Sequence, residues 1–217
     1  MPYASPAMNL PGLKEPVQKR SQASLNRLLK AGAKLLAEQG YAGFTIPELS
    51  RRAKVSPGLI YGRFENKDAI FHAIQDQQLE RVTAAFEEIT NPDQWEGRPL
   101  AELVEGLIFQ TADFIDRNAD LFDVFLARGA FDPVVEARSA VFLGDVNARL
   151  RALLLARRDE IRRPDPERAA NMVGELMLST FVRRSSAQTL PPEPAFGLAW
   201  QEMVAELPAV CQAYLVG

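Results

Sequence analysis

The sequence predicts an all-α protein, and three observations support this fold class. Apolar residues recur at helical spacing over most of the 217 residues. Polar cap residues, followed by a proline or by a glutamate three positions later, recur where these apolar stripes begin. No segment alternates apolar and polar residues as a half-buried strand does, and no repeat of about 20 to 50 residues is present.

The first helix is predicted to begin near Lys19, after a proline-interrupted segment at residues 1–18 that has neither periodicity and is expected to be a flexible tail. Gly40 is expected to end this helix with a positive φ, a conformation that glycine adopts without steric cost. The apolar stripe between these positions consists of Leu25, Leu28, Leu29, Leu35 and Leu36.

Two short helices are predicted next. Thr45 and Glu48 fit a Thr-x-x-Glu capping box, so Thr45 is the predicted N-cap of a helix of about two turns. Ser56 is the predicted N-cap of the second helix, with Pro57 at its first position, where a missing N–H costs nothing. This second helix is expected to end near Phe64.

The remainder is predicted to be helical as well. A long helix should run from Lys67 to Ile89, capped by Asn66 and ended by the Asn91-Pro92 pair. Pro208 is expected to kink or split the last helix. The later helices are predicted near residues 99–117, 119–130, 133–158, 166–187 and 194–215.

Charge is distributed unevenly along the chain. The net charge of −3 combines +6 over residues 1–72 with −9 over residues 73–217. A basic front on an acidic body is typical of a protein that meets a polyanion such as nucleic acid. The same asymmetry would also fit an acidic protein partner.

Several functional classes have little support in the composition. Cys211 and His72 are the only cysteine and histidine, so an intrachain disulfide and a Cys/His zinc cluster are both excluded. A helical di-metal site with its Glu-x-x-His pairs also lacks histidines. We therefore expect no metal, no cofactor and no catalytic residues. No apolar run of about 18 residues and no leader-like block occur, which favours a cytoplasmic protein without a membrane span.

Two short capped helices joined by a turn at Lys54-Val55 and flanked by longer helices make a helix-turn-helix motif. In this motif the second short helix enters the DNA major groove and its N-terminal half faces base edges. One such helix contacts few bases by itself, so proteins with this motif commonly bind a palindromic site as dimers.

At these residues the sequence resembles the TetR family of regulators, over about residues 22–75. The resemblance is carried by "AGFT", by "ELSRRAKVS", by Tyr61-x-x-Phe64 and by Lys67 followed by an apolar pair. Relatives usually carry glycine where this chain has Lys54. A lysine with positive φ at this position costs on the order of 1 kcal/mol.

The resemblance implies a domain organisation and a function. Residues 19–68 would form the DNA-binding domain, and residues 69–217 a helical regulatory domain that dimerises through the helices near 166–187 and 194–215. The protein would be a homodimeric, ligand-responsive transcription regulator that binds double-stranded DNA at a palindromic operator, and a repressor is favoured. A helical protein-interaction module and a carboxylate-based helical enzyme are the alternatives.

The resemblance also implies individual DNA contacts. Thr45 would touch phosphate at a helix start, Lys67 would bind phosphate as a point charge, and Tyr61 would present its ring and hydroxyl to phosphate or a base edge. Leu59 has no donor, so it could meet only thymine methyls or sugars. The tip entering the groove would consist of Ser56, Pro57, Gly58 and Leu59.

Each of these residues has a purely structural alternative. Thr45 and Ser56 could serve as helix caps only. Tyr61 could belong to the core, and Lys67 could be a solvated surface charge.

A pocket for a small-molecule effector is expected among the helices at 99–158 and 166–187. Helical stripes of aromatic and methionine side chains are also typical of ordinary core packing, which is the alternative. The candidate pocket residues are Phe109, Phe122, Phe125, Arg128, Met172 and Met177.

Overall fold

A computed structural model describes residues 19–185 and 198–217. No strand occurs in these two ranges, and the prediction of an all-α fold is confirmed. The predicted tail at residues 1–18 lies outside the described residues. The α-helices of the described ranges are α1 (Lys19–Gly43), α2 (Ile46–Ala53), α3 (Pro57–Tyr61), α4 (Lys67–Ile89), α5 (Leu100–Asp116), α6 (Ala119–Gly129), α7 (Pro133–Leu155), α8 (Pro166–Ser185) and α9 (Trp200–Val216).

Polar side chains cap the starts of α4, where the cap was predicted, and of α8. The Asn66 side-chain oxygen accepts a hydrogen bond from the Ala69 N–H at 2.8 Å at the start of α4. Asp165 caps α8 in the same way, accepting from the Arg168 N–H at 3.0 Å. These short polar side chains satisfy backbone donors that have no partner within the helix.

Some helix ends differ from the predictions. Gly40 has the expected positive φ of 64°, but its ψ of −175° is extended, and one further turn follows to the end of α1. The last helix begins at Trp200 and continues past Pro208 without splitting. Leu207 and Cys211 flank the proline and are buried, so core packing on both sides offsets the lost hydrogen bond. The predicted start at residues 194–197 lies outside the described residues.

The chain divides into two compact units, residues 1–77 and 78–217. The division falls within α4, whereas the sequence suggested a functional boundary at residue 68, which stays a prediction. The core of the first unit is formed by side chains from α1 to α4 and the segments that join them. It includes Leu28, Leu35, Leu36, Phe44, Leu49, Ile60, Phe64, Ile70, Phe71 and Ile74.

In the second unit, the Trp95 indole packs against α5. Its indole N–H donates to the Ile89 carbonyl at 2.8 Å, and the ring is almost fully buried. A Cβ on Gly106 would lie 2.4 Å from that ring, so only glycine lets α5 approach the indole this closely. None of the described helices is both long enough and apolar enough to cross a membrane.

A buried carboxylate in the second unit carries an unfavourable charge. Asp123 is 8% exposed, and its Oδ1 has no hydrogen-bond partner within the described ranges. Burial raises the pKa of Asp123 from its ordinary 3.8 to about 6, an effect that the Arg184 guanidinium opposes and the Asp120 carboxylate reinforces. At neutral pH the folded protein therefore holds a poorly solvated negative charge.

We expect Asp123→Asn to raise the free energy of unfolding by about 1 to 2 kcal/mol near pH 8, because the amide removes that charge and keeps the shape. The folded-state pKa lies above the ordinary value, so ionised Asp123 destabilises the folded protein above pH 6. This destabilisation fades as the pH falls toward 3.8, because the carboxylate becomes protonated in the folded protein first. Urea denaturation across this range measures the difference. Asp120→Asn, at an exposed carboxylate on the same helix, should give a smaller gain, because it removes only the repulsion that Asp120 adds; an equal gain there would contradict the assignment to Asp123.

Candidate nucleic-acid interface

The first short helix begins at an exposed cap. The Thr45 hydroxyl oxygen accepts a hydrogen bond from the Glu48 N–H at 3.4 Å, so the predicted N-cap is confirmed. In a capping box the Glu48 carboxylate would accept a hydrogen bond from the Thr45 N–H. Here it accepts hydrogen bonds from two arginines of its own helix instead. It accepts from Arg51 Nε at 2.8 Å and from Arg52 Nε at 2.6 Å.

This cluster balances the charges at the end of α2. Hydrogen bonds from Arg51 and then Arg52 lower the pKa of Glu48 to about 2, so the carboxylate is ionised at neutral pH. Arg52 also forms an ion pair with Glu38 on α1. Two glutamates therefore offset two arginines, and these arginines contribute less net positive charge than the sequence indicates.

The turn between α2 and α3 has a left-handed backbone, so the lysine at this position does adopt the positive φ that the sequence left open. Lys54 has φ 54° and ψ 46°, and its N–H donates to the Ser50 carbonyl. The Val55 N–H donates to the same carbonyl at 3.2 Å, while the Ser50 hydroxyl donates to the Val55 carbonyl at 2.6 Å. These bonds satisfy groups left open at the end of α2 and fix the direction in which α3 begins.

The second short helix also begins as predicted. The Ser56 hydroxyl oxygen accepts from the Leu59 N–H at 3.3 Å, and Pro57 occupies the first helical position. Regular helix ends at Tyr61 rather than near Phe64. The chain nevertheless stays coiled, since the Phe64 N–H donates to the Ile60 carbonyl at 2.9 Å.

Helix α3 presents one side outward and anchors the other. Residues 56–59 are exposed, including Leu59 at 37%, and Tyr61 is 59% exposed. Ile60 is completely buried and Phe64 almost so. The predicted tip is therefore uncovered within its own unit, and the buried side chains of Ile60 and Phe64 anchor α3 to the core.

Gly58 stands out on this edge because the fold does not require it. A Cβ at this position would meet no atom within 4 Å, and its φ is not positive. Alanine in place of glycine inside a helix would stabilise it by about 0.5 to 1 kcal/mol. The missing side chain leaves the backbone accessible to something outside the first unit.

Arg63 and Lys67 are engaged in contacts within the first unit. Arg63 Nη2 donates to the Ser21 carbonyl at 3.0 Å and to its hydroxyl oxygen at 2.6 Å, which ties the end of α3 to the start of α1. Lys67 Nζ donates to the Tyr41 carbonyl at 2.7 Å and lies 3.9 Å from the centroid of that ring. Lys67 is half-buried, with its charge held at the first residue of α4.

The six candidate pocket residues do not share one environment. Phe109 and Met172 are exposed on α5 and α8, whereas Met177 is completely buried. On α6, Phe122 and Arg128 are partly buried and Phe125 is buried. A cleft of about 660 Å³ in the second unit is lined by none of the six; its residues are Pro92, Asp93, Glu96, Gly97, Arg98, Pro99, Ala156, Arg157 and Glu160.

The contacts that were not predicted differ in how far a local sequence pattern indicates them. Glu48 lies three and four positions before its arginines, a spacing that brings side chains together on any helix, so this cluster could have been predicted. The contact of Arg63 with Ser21 spans 42 residues, and that of Lys67 with Tyr41 spans 26. No local pattern indicates such pairs.

Comparison with known proteins identifies relatives of this arrangement. Residues 28–74 match the sequence model of the tetR family of bacterial regulatory proteins. The chain is 37% identical over 89 residues to the A-factor receptor protein of Streptomyces griseus, covering 41% of this chain and 29% of that protein. It is 27% identical over 122 residues to the transcriptional regulator UidR of Escherichia coli K12, covering 56% and 59%. The chain thus spans less than two thirds of either relative.

Solved structures match over nearly the whole length. A transcriptional regulator from Rhodococcus sp. Rha1 has a TM-score of 0.66 at 21% identity, covering 88% of this chain and 95% of that one. Salmonella enterica GusR has a TM-score of 0.62 at 23% identity, covering 94% and 98%. FadR of Bacillus subtilis, solved with stearoyl-CoA, has a TM-score of 0.62 at 17% identity, covering 88% and 98%. At these identities the likeness establishes the shared fold.

The contrast between neighbouring residues of α3 generates a paired prediction. Ile60→Ala should lower the free energy of unfolding by about 2 to 4 kcal/mol, because it leaves a cavity at a completely buried position. Leu59→Ala should lower it by about 1 kcal/mol or less, because more than a third of Leu59 is already exposed to solvent. Chemical denaturation of the two variants measures both values. Equal losses would mean that the exposed edge is packed against something and would contradict the geometry.

Proposed function

The chain belongs to the TetR family of bacterial regulatory proteins, and from this premise we propose that it is a homodimeric, ligand-responsive transcription regulator that binds a palindromic DNA operator. We propose that it acts as a repressor. The observation that carries the proposal is the uncovered edge of α3, anchored by Ile60 and Phe64. A helix held in this way can enter the major groove without rearrangement of its own unit.

Recognition would combine shape, apolar contact and a few polar groups. Ser56, Pro57 and Gly58 at the tip would approach the base edges, with the bare backbone of Gly58 allowing close contact. Leu59 would pack against thymine methyls, because it offers no donor or acceptor. The Tyr61 hydroxyl would bind phosphate or a base edge.

Phosphate contacts would fix the position of α3 in the groove. Thr45 stands at the exposed N-terminus of α2, where the hydroxyl and the positive end of the helix dipole favour an anion. Lys67 would add a positive charge from the first residue of α4, held in place by the Tyr41 carbonyl. Such contacts orient the protein on the duplex without reading its sequence.

Dimerisation is proposed through the helices predicted near 166–187 and 194–215. Exposed apolar side chains on these helices support this surface, since Met172 and Val210 are each about half exposed in the single chain. Packing α8 and α9 against a second copy would cover such side chains in a four-helix bundle. Two copies of α3 could then read the two halves of a palindrome.

Ligand response would follow from thermodynamic linkage. An effector that binds better to the DNA-free arrangement must weaken DNA binding by the same factor by which DNA weakens effector binding. We place the effector near α6, where Phe122, Phe125 and Arg128 are partly or fully buried, and retain Phe109, Met172 and Met177 as further candidates. The stearoyl-CoA in the FadR structure shows that a protein of this fold holds a small molecule. As a DNA-binding regulator the protein would act in the cytoplasm.

Selection of bound duplexes from a random pool tests the proposal with the full chain. We expect palindromic sequences to be enriched and the logarithm of affinity to fall linearly with the logarithm of salt concentration. Sedimentation should show about twice the 24.1 kDa chain mass. A flat salt response would favour a protein-interaction module, and turnover without duplex binding would favour an enzyme. Release of the selected duplex by a small molecule would identify an effector.

Lys67→Ala should lower affinity to a similar degree on all duplexes and reduce the salt slope by about one per subunit, because one phosphate contact is lost. Titrations of a fluorescent duplex at several salt concentrations measure the slope. Lys67→Arg keeps the charge and is the matched control. An unchanged slope in the alanine variant would show that Lys67 serves only the fold, through Tyr41.

A further inference from the structure

Lys54 has an unusual backbone conformation for its residue type. Within the described ranges it is the one residue other than glycine with a positive φ. Its φ of 54° and ψ of 46° place Cβ close to the following carbonyl, a strain that glycine would not have. The turn needs this conformation, because the N–H groups of Lys54 and Val55 both reach the Ser50 carbonyl.

Nothing in the described fold compensates for the strain through the lysine side chain. The residue is exposed, and its ammonium forms no hydrogen bond or ion pair with the described residues. Glycine would form the same two backbone bonds in the turn without the steric cost. Strained residues of this kind cluster at functional sites.

The surrounding charges make Lys54 distinctive. Arg51 and Arg52, immediately before it, are paired with Glu48, and Arg63 is tied to Ser21. Lys54 is therefore an uncompensated positive charge between the two short helices. It lies two positions before Ser56, at the start of the exposed edge.

We propose that Lys54 binds a phosphate of the operator backbone and sets operator affinity, at the expense of strain in the turn. This inference rests on the proposed function, since it requires α3 to lie in the major groove. A flexible lysine side chain beginning beside the groove tip can reach the adjacent phosphates as a point charge. This role explains why Lys54 has no acidic partner, because an ion pair would cancel its attraction to phosphate.

Three substitutions separate charge from backbone. Lys54→Gly removes charge and strain, Lys54→Gln removes charge only, and Lys54→Arg keeps both. We expect the glycine and glutamine variants to lose about 0.9 of salt slope per subunit and at least about tenfold in dimer affinity at about 0.1 M salt. The arginine variant should retain the wild-type slope. The glycine variant should also melt at a higher temperature than the other two.

The outcomes distinguish this inference from the function on which it rests. If the wild-type chain shows no salt-dependent duplex binding, both are overturned. If the wild type binds and all three variants keep its slope and affinity, the role of Lys54 is wrong and the proposed function stands. If only the glycine variant weakens, the effect belongs to the backbone, which also overturns the inference. Arg158→Gln, at an exposed cation of the second unit, controls for a general loss of charge.

Discussion

The candidate interface depends on the burial of Ile60 and Phe64, because a helix of five residues has no stability of its own. These two side chains fix α3 from behind, and the Ser56 cap together with the turn at Lys54 fixes where it begins. With that side anchored, the opposite edge can remain uncovered at little cost. The exposed positions are therefore free to be chosen for contact rather than for packing.

Local interactions explain most of what the sequence could predict. The N-caps at Thr45, Ser56 and Asn66 are set by bonds between residues three positions apart, so their signals are visible in short stretches. The positive φ at Lys54 was not predicted, because lysine gives no local signal for a left-handed backbone. Contacts such as Arg63 with Ser21 depend on how distant helices meet, and periodicity carries no information about that.

Periodicity and charge counting also fail in characteristic ways. An apolar stripe does not distinguish core, pocket and surface, which is why Phe109 is exposed while Met177 is buried. A net charge does not reveal pairing, and the Arg51 and Arg52 charges are balanced by glutamates. Pro208 shows the converse, since burial of Leu207 and Cys211 before and after it overrides a strong local signal for a break.

The placement of the indoles gives the molecule an internal optical reporter. Trp95 and Trp200 are the two tryptophans of the chain; both are buried, and both belong to the second unit. The Trp200 N–H donates to Asp116 at 3.0 Å, and the Arg184 guanidinium lies 5.7 Å from its ring centroid. Tryptophan fluorescence therefore comes from the second unit alone. A change in its spectrum would report a structural change in that unit, because the helix-turn-helix contains no tryptophan.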